Sequence, residues 1–227
     1  MTPNLTEISM QASSPLLGVM RSALSMALLG QSKLTRDILS LEGMSGLKYR
    51  HFINNLVGEL NDTSYLEVGS WAGSTLCSAI YGNSVRATAI DNWSQFGGPK
   101  EIFLSNLERF RTPKAYVNFI ENDFRNVDYS SIGPFKIYLF DGPHEEIDQY
   151  DGLQLPLPCL EEEFVFIVDD WNWTAVRDGT FSAIVKSNLT VKYGLEIRTT
   201  LDGSHPDNAM QNSDWHNGYF ISVLSKS

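Results

Sequence analysis

Two groups of acids stand at the ends of short apolar runs, Phe140-Asp141-Gly142-Pro143-His144 and Val168-Asp169-Asp170-Trp171-Asn172. If the two runs are neighbouring parallel strands, about 5 Å apart, the carboxylates of Asp141, Asp169 and Asp170 converge at one edge of a sheet. Like charges held that close raise each other's pKa unless a cation neutralises them. Oxygen ligands with positions left for water suit Mg²⁺ or a similar hard divalent ion. The plainer role for one or two of these acids is to cap the helix that follows. His144 lies three residues after Asp141. Imidazole titrates near neutral pH, so this residue is the leading general base; its plainer role is to hydrogen-bond a ligating carboxylate.

A second set is spread over three runs. The first ends as Glu67-Val68-Gly69-Ser70-Trp71-Ala72-Gly73-Ser74, where glycine permits a tight turn at 69 and a close approach at a helix start at 73. The second ends in Asp91-Asn92, where an acid can accept hydrogen bonds from both hydroxyls of a ribose. The third ends in Glu121-Asn122-Asp123-Phe124, an acceptor beside an aromatic wall for a purine. Acids and glycines at strand ends are common singly; the three in order point to a ligand containing a nucleoside. A dinucleotide fingerprint needs a second glycine where Ser70-Trp71 stands, and Trp71 would crowd a pyrophosphate. Glu67 suits an ammonium group better than a phosphate. Ribose, adenine and a free amino acid together describe S-adenosylmethionine.

The elements that must position these groups are legible from periodicity. Short, almost wholly apolar runs at Tyr65–Val68, Ala87–Ile90, Val117–Ile120, Lys136–Phe140 and Phe164–Val168 alternate with helical stretches at Ser74–Tyr81, Lys100–Phe110 and roughly Glu145–Leu153. That alternation predicts a parallel α/β sheet buried on both faces, with ligands beyond the carboxyl ends of its strands. Leu195–Leu201 and Tyr219–Leu224 are expected to pair as an antiparallel edge. Ahead of the sheet, residues 1–44 form a helical extension to a main domain of residues 45–227. Apolar positions at Leu16, Leu17, Met20, Leu24, Ala27 and Leu28, and at Leu47, Phe52, Ile53, Leu56 and Leu60, recur at helical spacing on either side of a breaker-rich connection at 40–46. Glu161-Glu162-Glu163 reads as a solvated turn, and His51 as a surface or satisfied core histidine. Trp71, Trp93, Trp171 and Trp173 could wall the site, and Asp214-Trp215-His216-Asn217-Gly218 could border its mouth or simply close a hairpin.

Composition narrows the partners. The 227 residues carry 27 acids and 17 basic residues, a net charge of −10, which argues against nucleic acid and against anionic lipid. A hydrophobic content of 42% supplies a core. Cys77 and Cys159 are too few for a disulfide framework and read as buried thiols of a reducing compartment. The first basic residue, Arg21, interrupts the apolar stretch from Leu16 to Leu29, so neither a secretory signal nor a membrane span is read there. A cytoplasmic protein acting on a small molecule is expected, with self-association through the N-terminal helices.

The set Glu67-x-Gly69-x-x-x-Gly73, Asp91 and Asp123 resembles the cofactor motifs of class I S-adenosylmethionine-dependent methyltransferases, over roughly residues 45–227. Asp141 with Asp169-Asp170 resembles the metal site of the metal-dependent O-methyltransferases of the catechol type and of the macrolide- and aminocoumarin-sugar type. The resemblance implies a Rossmann-like sheet of seven strands, mostly parallel with an antiparallel C-terminal strand, and helices on both faces. It places Glu67 and Gly69 by the methionine moiety, Asp91 on the ribose and Asp123 by the adenine. Ser70, Trp71, Gly73, Ser74, Asn92, Phe124 and Asp141 complete the expected cofactor contacts. Asp141, Asp169 and Asp170 would hold the ion on which two adjacent acceptor hydroxyls chelate. Where the catechol type has a lysine as base, this chain has His144. Three alternatives stay open: a metal-independent methyltransferase, an NAD-dependent oxidoreductase and a cofactor-binding module without catalysis.

Overall fold

A computed structural model describes residues 3–9 and 14–226. One eight-stranded sheet runs through the molecule. Its strands are β1 (Asn4–Ser9), β2 (Thr63–Val68), β3 (Val85–Asp91), β4 (Ala115–Glu121), β5 (Phe135–Phe140), β6 (Leu160–Val168), β7 (Thr190–Arg198) and β8 (Tyr219–Ser225), in the spatial order β1-β7-β8-β6-β5-β2-β3-β4. The block from β4 to β6 is parallel throughout; β8 runs antiparallel to both β6 and β7, and β1 antiparallel to β7. The expected α/β architecture is present, with one strand more than the seven expected.

Helices α1 (Pro15–Leu28), α2 (Arg36–Leu39), α3 (Leu47–Leu60), α4 (Ser74–Ile80), α5 (Lys100–Phe110), α6 (Glu146–Gln154) and α7 (Thr174–Lys186) supply the covering layers. Helix α1 begins where Ser14 Oγ accepts from the Leu16 N–H at 3.1 Å and Pro15 presets the first turn. Its Leu16, Met20, Ala23 and Ala27 join Phe52, Ile53 and Leu56 of α3 in the largest buried cluster. Each large side chain so buried stabilises the fold by about 1.5–3 kcal/mol. Among the described residues no helix is long and apolar enough to cross a membrane. Cys77 and Cys159 are free and buried, and burial pushes both thiols up to about 12.

Three local expectations are corrected, and one unassigned helix is added. The N-terminal segment contains strand β1 as well as helices, and β1 covers the outer side of β7. The β7–β8 pair is therefore not an edge: β8 lies between β6 and β7, and β7 spans 190–198 rather than 195–201. Glu161, Glu162 and Glu163 lie inside β6; Lys136 pairs with Glu161 at 2.9 Å, and Ser14 Oγ donates to Glu163 at 2.6 Å. Helix α7, unmarked by apolar periodicity, buries Val176, Gly179, Thr180, Ala183 and Ile184, a face of mostly small residues that lies against α6.

Register fixes the site. Val68 is level with Phe140, and Phe140 with Val168, so Gly69, Asp141 and Asp169 leave the sheet together. Gly69 has φ +86°, and a Cβ there would stand 1.8 Å from the Asp141 carbonyl oxygen. Gly69→Ala should therefore destabilise the fold by more than about 3 kcal/mol, combining left-handed strain with a backbone collision. Urea unfolding with a midpoint near that of the wild type would overturn this.

Candidate active site

At the carboxyl ends of the parallel strands a cavity of about 390 Å³ opens between the loops after β2, β3, β4, β5 and β6. Grouped by the elements that supply them, the lining residues from the loops after β2, β3 and β4 and the start of α4, here termed the first lobe, are Gly69, Ser70, Trp71, Ser74, Asp91, Asn92, Asp123 and Phe124. The other is bounded by Asp141, His144, Asp170, Trp173, His205, Met210, His216 and Asn217.

In the first lobe Asp91 is already engaged. Its Oδ2 accepts from the Trp71 N–H at 2.8 Å and its Oδ1 from the Trp93 N–H at 2.6 Å. Each carboxylate oxygen keeps a second lone pair for a ligand. The Trp71 indole donates to the Phe96 carbonyl and the Trp93 indole to the Trp71 carbonyl, so the two loops brace each other. Trp71, Trp93 and Phe96 all have positive φ, between 43° and 49°; such strain collects at functional sites. Asp123 caps the short turn at Phe124–Asn126 by accepting from the Arg125 N–H at 2.9 Å, and it also lines the lobe.

Two of the expected cofactor residues lie behind this wall. Glu67 is fully buried and receives the Tyr65 hydroxyl at 2.5 Å. Burial lifts its carboxyl to about 7, against the hydroxyls of Tyr65 and Ser70, which favour the charged form. Gly73 has φ +82°, and a Cβ there would meet the Phe103 ring at 2.9 Å. The bare glycine lets α4 seat against α5. Of the four candidate wall tryptophans, Trp71 and Trp173 line the cavity; Trp93 packs against Phe103, and Trp171 is core, stacked on Phe220 at 4.6 Å.

In the second lobe Asp141, His144 and Asp170 each offer a ligand atom, and these atoms lie within 4.8 Å of one another. His144 Nε2 is 2.7 Å from Asp170 Oδ2, and Asn217 Nδ2 donates to Asp170 Oδ1 at 2.6 Å. Asp169 is not in that convergence: its Oδ1 accepts from the Asp170 N–H at 2.6 Å. Burial, then the charge of Asp170, holds the Asp141 carboxyl well above the usual carboxylate range. Burial, then Asp141, does the same to Asp169. Asp170 goes the other way: burial opposes its charge, but the hydrogen bonds from His144 and Asn217 bring it below its ordinary value.

Several residues here carried little or no sequence signal. Met44 reaches the cavity on the 40–46 connection, held there by the fully buried Arg50. Its guanidinium donates to the carbonyls of Leu41 and Leu39 and to Ser45 Oγ, and burial lowers its pKa to about 10. His205 stands edge-on to Trp173, while His51 is a satisfied core residue bonded to Ser32.

No family model matches the sequence and no curated protein matches it. Solved structures do. Rv0187 from MTB, solved with a cofactor bound, superposes with a TM-score of 0.54 at 13% identity, covering 96% of this chain and 93% of its own. The O-methyltransferase TomG from Streptomyces achromogenes, solved with SAM, gives 0.52 at 14% identity over 90% of each chain. The fold is a methyltransferase fold. SMU.776, solved with SAH, gives 0.53 at 14% identity; the alignment covers 79% of this chain but only 48% of SMU.776, so the chain spans about half that length. In this methyltransferase fold the cavity lies beyond the carboxyl strand ends, where open α/β sheets bind ligands.

Proposed function

We propose that this chain is an S-adenosylmethionine-dependent methyltransferase. Its reaction would be O-methylation of a small molecule bearing adjacent hydroxyls, assisted by a divalent ion. The observation that carries the reading is one cavity lined both by Asp91, a ribose-type acceptor, and by the crowded carboxyl pair Asp141 and Asp170. When bound, the cofactor supplies a sulfonium methyl, and the ion supplies a Lewis acid that eases loss of a hydroxyl proton.

The remaining work falls to the chain. Asp91 accepts from the ribose hydroxyls, and Asp123 with Phe124 bounds the purine. The crowded carboxyls of Asp141 and Asp170 fit a hard cation, whose charge would favour the ionised form of Asp141: such ions are held by one or two carboxylates and keep several waters. Asp169 supports Asp170 from behind. His144 gives its Nε2 proton to the hydrogen bond with Asp170 and so leaves Nδ1 to take the acceptor's proton. The resulting imidazolium is stabilised by the Asp170 carboxylate, which stays ionised.

Calorimetric titration of S-adenosylhomocysteine, with and without Mg²⁺, tests the reading. Micromolar binding is expected for the wild type, and a loss of at least about 100-fold for Asp91→Ala, two charge-assisted hydrogen bonds being worth about 3 kcal/mol. Absence of binding by the wild type would overturn it.

A further inference from the structure

Asp170 and Asn217 are far apart in sequence and joined only by the fold. Asp170 sits at the end of β6 with φ +57°, a left-handed conformation that a non-glycine residue adopts only when its surroundings enforce it. Its two oxygens are divided between two donors, His144 Nε2 on Oδ2 and Asn217 Nδ2 on Oδ1. Asn217 is itself immobilised. It is 2% exposed, its carbonyl accepts from the Asn172 N–H at 2.9 Å, and its side-chain oxygen faces His205 Nδ1 at 3.2 Å. Reversing the amide would set oxygen against the Asp170 carboxylate, so the contacts fix its orientation.

We infer that Asn217 is a positioning residue for Asp170. It occupies Oδ1, sets the plane of the carboxylate and leaves Oδ2 turned toward His144 and Asp141. This rests on the proposed metal-assisted reading, because an ion between Asp141 and Asp170 needs the second carboxylate presented in one orientation. Partners that orient a ligating carboxylate cost about 10- to 100-fold in metal affinity when removed. The turn around 216–218 therefore belongs to the ion's site, although no residue of it would ligate.

The test is a titration of the full chain with Mn²⁺ followed by electron paramagnetic resonance, on the wild type, Asn217→Ala and the milder Asn217→Ser. Both variants should bind Mn²⁺ about 10- to 100-fold more weakly. S-adenosylhomocysteine affinity, which reads the other lobe and the integrity of the fold, should stay within two-fold. Turnover lost at low Mn²⁺ should return at saturating Mn²⁺ with the acceptor KM little changed, a rescue that a collapsed structure would not show. Unchanged Mn²⁺ affinity in the variants, beside a wild type that binds, would overturn this inference and leave the functional reading standing. A wild type that binds no divalent ion would overturn the metal-assisted reading and this inference together.

Discussion

Asp141→Asn should cut turnover sharply and, at the same time, make the ligand-free protein more stable. Burial and the neighbouring Asp170 and Glu67 charges hold the Asp141 carboxyl well above the usual carboxylate range. At neutral pH the folded protein must either keep a proton that the unfolded chain releases or carry a crowded charge, a burden that an isosteric amide lacks. Turnover should fall by about 10²–10³, since a Lewis-acid site contributes several kcal/mol and each 1.36 kcal/mol is tenfold in rate. The melting temperature in metal-free buffer should rise, at about 2–4 °C per kcal/mol for a chain of this size. Saturating Mg²⁺ should narrow the gap by stabilising only the wild type. Calorimetric melting of the two proteins with and without Mg²⁺ checks it; a variant that melts below the wild type in metal-free buffer would sink the idea. Stability is given up here to keep charge available to a ligand.

Glu67→Gln should change how stability depends on pH. The carboxyl ordinarily titrates at 4.5, and burial raises it in the folded protein to about 7. The folded state thus holds the proton more tightly than the unfolded chain does. Stability from this group is complete below about pH 4.5 and is lost as pH rises toward 7. The total loss is about 3 kcal/mol, at 1.36 kcal/mol per pH unit. Glutamine can still accept from Tyr65 but has nothing to ionise, so the variant should match the wild type near pH 4.5 and exceed it by about 3 kcal/mol at pH 8. Urea unfolding across that range decides it, and parallel curves for the two proteins would refute it. The prediction also separates two roles for Glu67: buried behind Ser70, it sets the charge under the cavity rather than forming its wall.

Much of the sheet was legible because its central strands are buried on both faces. Runs such as Ile137–Phe140 and Val165–Val168 admit no polar residue, so they announce themselves. The chemistry at their ends followed, since register alone brings Asp141 level with Asp169. What stayed hidden has physical causes. Helix α7 uses Gly179, Thr180 and Ala183 to let α6 approach, and small residues leave little apolar periodicity. Strand β1 is an edge strand with Leu5 half-exposed, held by main-chain pairing with β7 rather than by a buried stripe. The three glutamates of β6 look like a turn until Lys136 and Ser14 are seen to take two of them. The 214–218 segment reads from sequence as a border of the mouth or a hairpin loop, and Asn217 does line the cavity; its bond to Asp170, and the place of His205, stayed hidden because each works through a partner remote in sequence, which no local spacing encodes.

The bracing of the Asp91 loops has an optical consequence. The amides of Trp71 and Trp93 already lean on the two oxygens that a ribose would share, and each indole is tied by its own N–H to the opposite loop. A molecule settling on Asp91 would take the remaining lone pairs of the same two oxygens, beside both fluorophores. Trp171 and Trp215, at most 2% exposed, would give a constant background, and Trp173, which lines the second lobe, is removed from the signal by Trp173→Phe. The chain thus carries an intrinsic emission reporter for its first lobe, and occupancy can be followed without label, coupled assay or knowledge of the methyl acceptor.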